Sequence, residues 1–188
     1  MANRKRLPSA RLLRRLIAYD PSTGEMRWKE RPVWMFSDNH YGRETLARMW
    51  NERRAGEIAF SATDAAGYKT GQIFSRRLQA HRVIFKMEFG ICPRYVDHIN
   101  HDPADNRLAN LRAVTNKQNL QNASLSKANR SGVTGVFWHR RDRAWVARIR
   151  VDGRDIHLTQ SKNKRAAIAA RKAAERKYGF HPNHGRPK

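Results

Sequence analysis

Apolar residues recur at helical spacing near the start of the chain. The spacing predicts a helix that runs to Tyr19, followed by a turn at Asp20–Gly24 and a short strand at Glu25–Lys29. The apolar face of this helix consists of Leu12, Leu13, Leu16 and Ile17. The first nineteen residues also lack acidic side chains, as an organellar presequence does, but the apolar face favours a structural helix.

A second amphipathic helix is predicted over Leu78–Phe89, after short strands around Gly67 and Gly71. Gly90 stands where a left-handed residue commonly follows a helix. The apolar face of this helix holds Ala80, Val83, Ile84 and Met87. Residues 31–55, between the two helices, contain aromatic side chains without clear periodicity, and we interpret them as filling a small core.

The middle of the chain predicts a strand, a polar loop, a second strand and a helix. Arg94–Ile99 and Leu111–Val114 favour strands, and residues 100–110 between them are rich in Asn and Asp. Thr115 and Gln118 match a capping box, in which the hydroxyl accepts from the helix and the amide reaches back to the cap. We therefore expect a helix to begin directly after Thr115.

Three strands and a final helix are predicted in the C-terminal part. Apolar and basic residues alternate over Ala144–Arg150, which indicates a strand with one apolar and one basic face. The apolar face holds Trp145, Ala147 and Ile149, and the other face holds Val146, Arg148 and Arg150. After a hairpin turn at Asp152-Gly153, another strand covers Arg154–Thr159. Its inward positions are Ile156 and Leu158, and its outward position is His157.

The final helix is predicted over Lys164–Tyr178, with Gly179 placed to end it. Its predicted contact face is made of small residues, which let a helix lie close on a sheet: Ala166, Ala169, Ala170, Ala173 and Ala174. Basic side chains crowd its first turn, where the helix dipole disfavours cations. We hypothesise that the amides at the helix start bind a phosphate there, together with the side chains of Lys162, Lys164 and Arg165. The alternative is a solvated run of charge.

These elements predict an α+β protein, in which a C-terminal three-stranded antiparallel sheet packs on one helix. The predicted regions are a basic N-terminal region over 1–57, a central domain over 58–123, a linker over 124–131, a C-terminal domain over 132–181 and a tail over 182–188.

Charge indicates the class of partner. The 188 residues carry a formal net charge of +23, so a polyanion such as nucleic acid is expected to bind. Hydrophobic residues make up 39% of the chain, which is too apolar for a disordered basic tail. The single cysteine, Cys92, excludes an intramolecular disulfide and a multi-cysteine zinc site. No apolar run is long enough to span a membrane.

A carboxylate, an imidazole and two amides are expected to meet in the central region. Asp97 and His98 end its first strand, Asn110 precedes the second strand, and Asn119 lies near the start of the helix. Carboxylate and amide oxygens suit a hard divalent cation, and an imidazole suits proton transfer at neutral pH. This combination favours phosphodiester hydrolysis, whereas an isolated Asp-His pair is more often a surface turn.

Motifs in this region closely resemble the HNH endonucleases of phages and mobile introns. They are Tyr95–Asn100, Asp105–Arg112 and Thr115–Asn119, preceded by His81-Arg82. The resemblance covers about residues 76–122 and implies a ββα-metal fold with Mg²⁺ or Mn²⁺ as the metal. The implied site residues are Asp97 and Asn119 as metal ligands, His98 as general base and Asn110 as the residue that orients this base. We interpret His81 as structural or as a phosphate contact.

The C-terminal block resembles DNA-binding domains of the ethylene-response-factor type over about residues 131–180. The matching residues are Gly135-Val136, Trp145–Arg150, His157-Leu158 and the alanine-rich helix. The resemblance implies a sheet that lies in the major groove of double-stranded DNA. The implied contacts are His139, Arg148, Arg150 and His157.

The function that these observations favour is a metal-dependent DNA endonuclease of the phage homing type, in the cytoplasm of an infected bacterial host. The alternatives are a non-catalytic DNA-binding regulator that retains the nuclease fold, and a binder of structured RNA. One active site per chain fits either nicking by a monomer or cutting of both strands by a homodimer, and the sequence leaves both open.

Overall fold

The structure, a computed structural model, describes residues 7–126 and 128–186. Residues 1–6 of the predicted N-terminal region, Lys127 of the predicted linker and residues 187–188 of the predicted tail lie outside the described residues. The chain divides into two compact units. The first runs to His98 and resumes over Asp102–Ala113, and the second contains Ile99–His101 and the chain from Val114 onwards.

The first unit begins with a short helix and a β-hairpin. Helix α1 (Ala10–Leu16) leads directly into β1 (Ile17–Tyr19), which pairs antiparallel with β2 (Met26–Trp28) around the expected turn at Asp20–Gly24. The prediction that the helix continues to Tyr19 is therefore wrong over its last three residues. Those residues gain strand hydrogen bonds from β2, a partner that the helical periodicity could not reveal.

A helix and a small sheet follow. Helix α2 (Arg43–Arg54) lies in the segment without periodicity. Most of its residues are exposed, so its sequence contains no apolar stripe from which a helix could be predicted. The antiparallel strands β3 (Ala62–Thr63), β4 (Lys69–Ile73) and β5 (Arg76–Gln79) form a sheet in the order β3-β4-β5.

Helix α3 (Ala80–Phe89) buries the predicted face and ends at Gly90, which adopts a left-handed φ of 70°. The expected first two residues of this helix instead end β5. The polar loop then separates β6 (Tyr95–His98) from β7 (Leu111–Val114), and the two strands pair in a two-stranded sheet.

One hydrophobic core extends through most of the first unit. Side chains from α1, β2, β4, α3 and β7 contribute to it, so the predicted boundary at residue 57 does not coincide with a break in the packing. Its fully buried members include Leu13, Leu16, Ile73, Val83 and Ile84.

The second unit begins with helix α4 (Asn116–Gln121), which has the predicted capping box. Its main body is the antiparallel sheet of β8 (Val136–His139), β9 (Ala144–Val151) and β10 (Arg154–Ser161), in the order β10-β9-β8. Helix α5 (Lys164–Lys177) packs on this sheet, as predicted. No helix among the described residues has both the length and the apolar character needed to cross a lipid bilayer.

Burial in this unit differs from expectation in two places. Val146 lies on the same face as Arg148 and Arg150, as predicted, but it is buried between Phe137 and Gln160 on the neighbouring strands. The buried stripe of α5 is also displaced from the predicted one: it consists of Ala167, Arg171, Ala174 and Glu175, whereas Ala166, Ala169 and Ala173 are exposed. A charged stripe can face inward here because Arg171 and Glu175 bind each other at 2.9 Å.

Candidate functional site

Strand β6 ends on the two residues for which the sequence predicts chemistry. The Asp97 side chain is only 12% exposed, and its Oδ2 accepts hydrogen bonds from Nε and Nη2 of Arg112 at 3.1 and 2.9 Å. Because Arg112 lies on the paired strand β7, the sheet itself holds this carboxylate in place. His98 is the last residue of β6 and faces a different set of partners.

The imidazole of His98 is buried, with 5% of the residue exposed. Its Nε2 lies 3.4 Å from Oδ1 of Asn106 in the following loop. Burial lowers the pKa of His98, while the Asn106 hydrogen bond and the Asp97 charge act in the opposite direction. The ring is therefore neutral at neutral pH and able to accept a proton.

Asn106 is the residue of this site that the sequence reasoning missed. Its Nδ2 donates to the carbonyl of Ala104 at 3.1 Å, which turns Oδ1 toward His98. Its backbone carbonyl accepts the hydroxyl of Tyr19 at 2.9 Å. Asn106 lies in the polar loop and within the Asp105–Arg112 motif, eight residues after His98, but an Asn at such a position is also ordinary turn chemistry.

Asn110 supports the same loop. Its side chain is buried, and its Nδ2 donates to the backbone carbonyl of Asp105 at 2.8 Å. The Asp105 carboxylate in turn accepts two hydrogen bonds from the Arg107 guanidinium, at 2.9 and 2.6 Å. These contacts brace the backbone on both sides of Asn106.

His81 lies beside His98 in the first unit. Its ring centroid is 5.1 Å from that of His98 and 5.0 Å from that of Tyr68. Burial, more than any neighbouring charge, lowers the pKa of His81 to about 3, so this ring is neutral. Its Nδ1 is buried and has no hydrogen-bond partner among the described residues.

Asn119, the predicted second metal ligand, lies on α4 in the second unit. There, the side chain of Gln121 donates to the carbonyl of Tyr178 at 3.0 Å, so α4 is fastened to the end of α5. The role of Asn119 stays a prediction. Within residues 7–126 and 128–186, no three His, Cys, Asp or Glu side chains cluster as metal ligands, and Cys92 is a free, exposed thiol.

Four of the predicted DNA contacts in the second unit share one face of the sheet. Arg148 on β9 pairs with His157 on β10, and Arg150 pairs with Asp155. His139 on β8 pairs with Ala144, which the alternation of β9 places on the same face. Arg148 and Arg150 are exposed, so the face presents cations to solvent.

The start of α5 carries the other predicted contacts. Lys164 Nζ lies 5.0 Å from the ring centroid of Trp145, which places the ammonium against the sheet. The backbone N–H of Arg165 donates to Oδ1 of Asn163 at 2.9 Å, so this N-terminal amide is already capped.

One protein family matches the central residues of the chain. The HNH endonuclease family matches residues 78–121, the segment that runs from the end of β5 through α4. This match points to a nuclease, a hydrolase that acts on DNA.

A phage protein is a distant relative over part of the chain. Protein 3.8 of Escherichia phage T7 is 27% identical over 103 residues, which are 54% of this chain and 84% of that protein. No solved structure matches the chain.

Proposed function

We propose that this chain is a metal-dependent DNA endonuclease of the HNH homing type. The proposal rests on the arrangement at the end of β6. There, Arg112 donates hydrogen bonds to the Asp97 carboxylate, and Asn106 contacts the neutral, buried imidazole of His98. The family match over the same residues supports it, and the phage relative supports placing the activity in an infected bacterial cell.

His98 serves as the general base in this proposal. Its hydrogen bond to Asn106 places the ring hydrogen on Nε2, so Nδ1 accepts the proton of a water molecule. The resulting hydroxide oxygen bonds to phosphorus, and the bond from phosphorus to the 3′ oxygen breaks. The products are a 5′-phosphate and a 3′ oxygen that takes a proton from solvent. Asn110 acts as a positioning residue, because it braces the loop that carries Asn106.

The donors in the proposed site fit Mg²⁺ or Mn²⁺. Asp97 supplies a carboxylate and Asn119 a carboxamide, and hard cations of this kind prefer such oxygen ligands. Arg112 orients the carboxylate. When bound, the ion would offset the negative charge on the phosphate and the departing oxygen.

The C-terminal sheet is proposed to bind the DNA target. Exposed Arg148 and Arg150 share a face with His139 and His157, and residues 127–188 contain 17 basic and 4 acidic side chains. Replacing both Lys164 and Arg165 with Glu should weaken DNA binding and flatten its dependence on salt, because phosphate contacts release counter-ions. Unchanged affinity at every salt concentration would refute a phosphate contact at the start of α5.

Plasmid cleavage tests the proposal directly. With Mg²⁺, the wild-type chain should convert supercoiled DNA to nicked or linear forms, and His98→Ala should slow this by at least about 100-fold. His98→Ala should retain DNA affinity, and His40→Ala, which changes an exposed imidazole outside the site, should cleave normally. Sequencing of the cut ends should identify the target and show whether one or both strands are cut.

Two results would contradict the proposal. DNA binding without any metal-dependent cleavage would indicate a regulator that retains the nuclease fold. Tighter binding of structured RNA than of duplex DNA, in competition at moderate salt, would indicate an RNA-binding protein.

A further inference from the structure

A pocket of about 690 Å³ lies in the first unit, in a part of the chain to which the proposed function assigns no role. We call it the aromatic pocket and define it by its aromatic and basic lining residues: Trp28, Arg31, Trp50, Arg54, Phe60, Phe74 and Arg77. Among the described residues, no acidic side chain contributes to the lining. The pocket therefore combines flat apolar rings with positive charge that no carboxylate in its wall neutralises.

Arg31 shows how the rings and charges are arranged. Its guanidinium carbon lies 4.0 Å from the ring centroid of Trp50, 5.5 Å from that of Trp28 and 5.8 Å from that of Phe74. Its Nε is buried and has no hydrogen-bond partner among the described residues. A buried donor of this kind is costly unless a ligand satisfies it.

Phe74 is displayed at this pocket by a strained turn. Phe74 and Ser75 form the two-residue connection between β4 and β5, with φ values of 49° and 61°. Such turns favour Asn and Gly, because a side chain is strained at positive φ. Phe74 nevertheless exposes 48% of its surface there. Strain that holds an apolar ring in solvent is typical of a binding site.

We propose that the aromatic pocket binds an unpaired nucleobase of DNA. The base stacks on Phe74, and the flanking phosphates are held by Arg54 and Arg77. An unpaired nucleotide is the ligand that fits both features, since it joins a flat ring to an anion. The choice of DNA rests on the proposed function, whereas the stacking and charge arguments rest on the pocket alone.

Fluorescence anisotropy with two labelled probes tests this. One probe is a thymidine 12-mer, and the other is an abasic 12-mer that keeps the phosphates and lacks the bases; EDTA prevents cleavage. The wild-type full-length chain should bind the thymidine probe more tightly. Phe74→Ala should weaken thymidine binding about tenfold and abasic binding less than about twofold, because it removes one stacking platform.

Matched variants control for general effects. Phe89→Ala removes a phenylalanine that is 52% exposed and lies outside the pocket, and it should leave both affinities unchanged. Arg54→Ala should weaken both probes to a similar degree, whereas Arg53→Ala, its exposed neighbour on α2 outside the pocket lining, should weaken them less. Circular dichroism of each variant checks that the fold is intact.

Three results would overturn the inference: equal wild-type affinity for the two probes, equal thymidine affinity of Phe74→Ala and Phe89→Ala, or tenfold tighter binding of a uridine RNA 12-mer. Plasmid cleavage measured in parallel separates this inference from the proposed function. Loss of thymidine binding in Phe74→Ala supports the pocket even if the wild-type chain cuts no DNA. If the wild-type chain cleaves plasmid DNA but binds the thymidine and abasic probes equally, the proposed nuclease function stands and the inference about the aromatic pocket is wrong.

Discussion

Truncation of Asn106 to Ala tests whether His98, the proposed general base, depends on the loop that follows it. The Asn106 residue is 5% exposed and makes two hydrogen bonds through its amide, to His98 at 3.4 Å and to Ala104 at 3.1 Å. Asn106→Ala removes both. The His98 ring then loses the partner that selects its tautomer, and the Ala104 carbonyl loses a donor.

The expected magnitudes follow from these contacts. Each hydrogen bond contributes about 1 kcal/mol, and a buried group left unpaired costs about 1–3 kcal/mol, so Asn106→Ala should lower the free energy of unfolding by roughly 2 kcal/mol. A partner that orients a catalytic histidine typically contributes about 10- to 100-fold to activity. The single-turnover rate of DNA cleavage should therefore fall by about that factor, and less than for His98→Ala.

Nicking of supercoiled plasmid with Mg²⁺, at protein concentrations that saturate the DNA, measures this rate. Tyr19→Phe is the matched control, because it removes the hydroxyl that binds the Asn106 carbonyl and keeps the ring. Its rate should stay within about threefold of wild type, since the Asn106 amide is intact. A wild-type rate for Asn106→Ala, alongside an inactive His98→Ala, would refute the idea that Asn106 positions the base.

Three further predictions concern stability, and urea denaturation followed by tryptophan fluorescence measures each. Arg171→Met should destabilise the chain by about 3 kcal/mol because it leaves Glu175 buried beside a single remaining cation, whereas exposed Arg176→Met should change stability by less than about 0.5 kcal/mol. Burial lowers the pKa of His184 to about 4, so the unfolded chain binds the extra proton between pH 6.5 and 4. Stability should fall as the pH drops through this window, and less steeply in His184→Gln; equal slopes would contradict the assignment. Ser75→Gly should stabilise by about 0.5–1 kcal/mol by relieving a φ of 61°, and Ser75→Ala, which keeps the Cβ, should not.

Features that depend on neighbours in the chain were predictable from the sequence. The apolar face of α3, the left-handed Gly90 and the capping box at Thr115 each involve residues within one or two helical turns. The same holds for the hairpin turn at Asp152-Gly153, whose residues have φ values of 49° and 80°. Local propensity and periodicity decide such features, so a short stretch of sequence is enough to predict them.

Features that depend on distant partners were not predictable. Ile17–Tyr19 continues the apolar spacing of a helix, yet it becomes a strand because Met26–Trp28 offers backbone hydrogen bonds. Arg171 faces inward because Glu175 and the carbonyl of Arg148 satisfy its guanidinium. Sequence periodicity predicts that charged side chains lie on the surface. Burial of a charged side chain becomes possible only when the fold supplies groups that pair with it.

The candidate site also combines features that were predictable from the sequence with features that depend on distant partners. The sequence by itself determined which side chains the candidate site offers, because Asp97 and His98 are adjacent and stand at the end of a strand. Only the tertiary structure decided what holds them, since Arg112 reaches Asp97 across paired strands and Asn106 reaches His98 through a loop pinned by Tyr19, 87 residues away. Orientation, burial and protonation arise from contacts between segments distant in sequence, and such contacts exist only after the chain has folded.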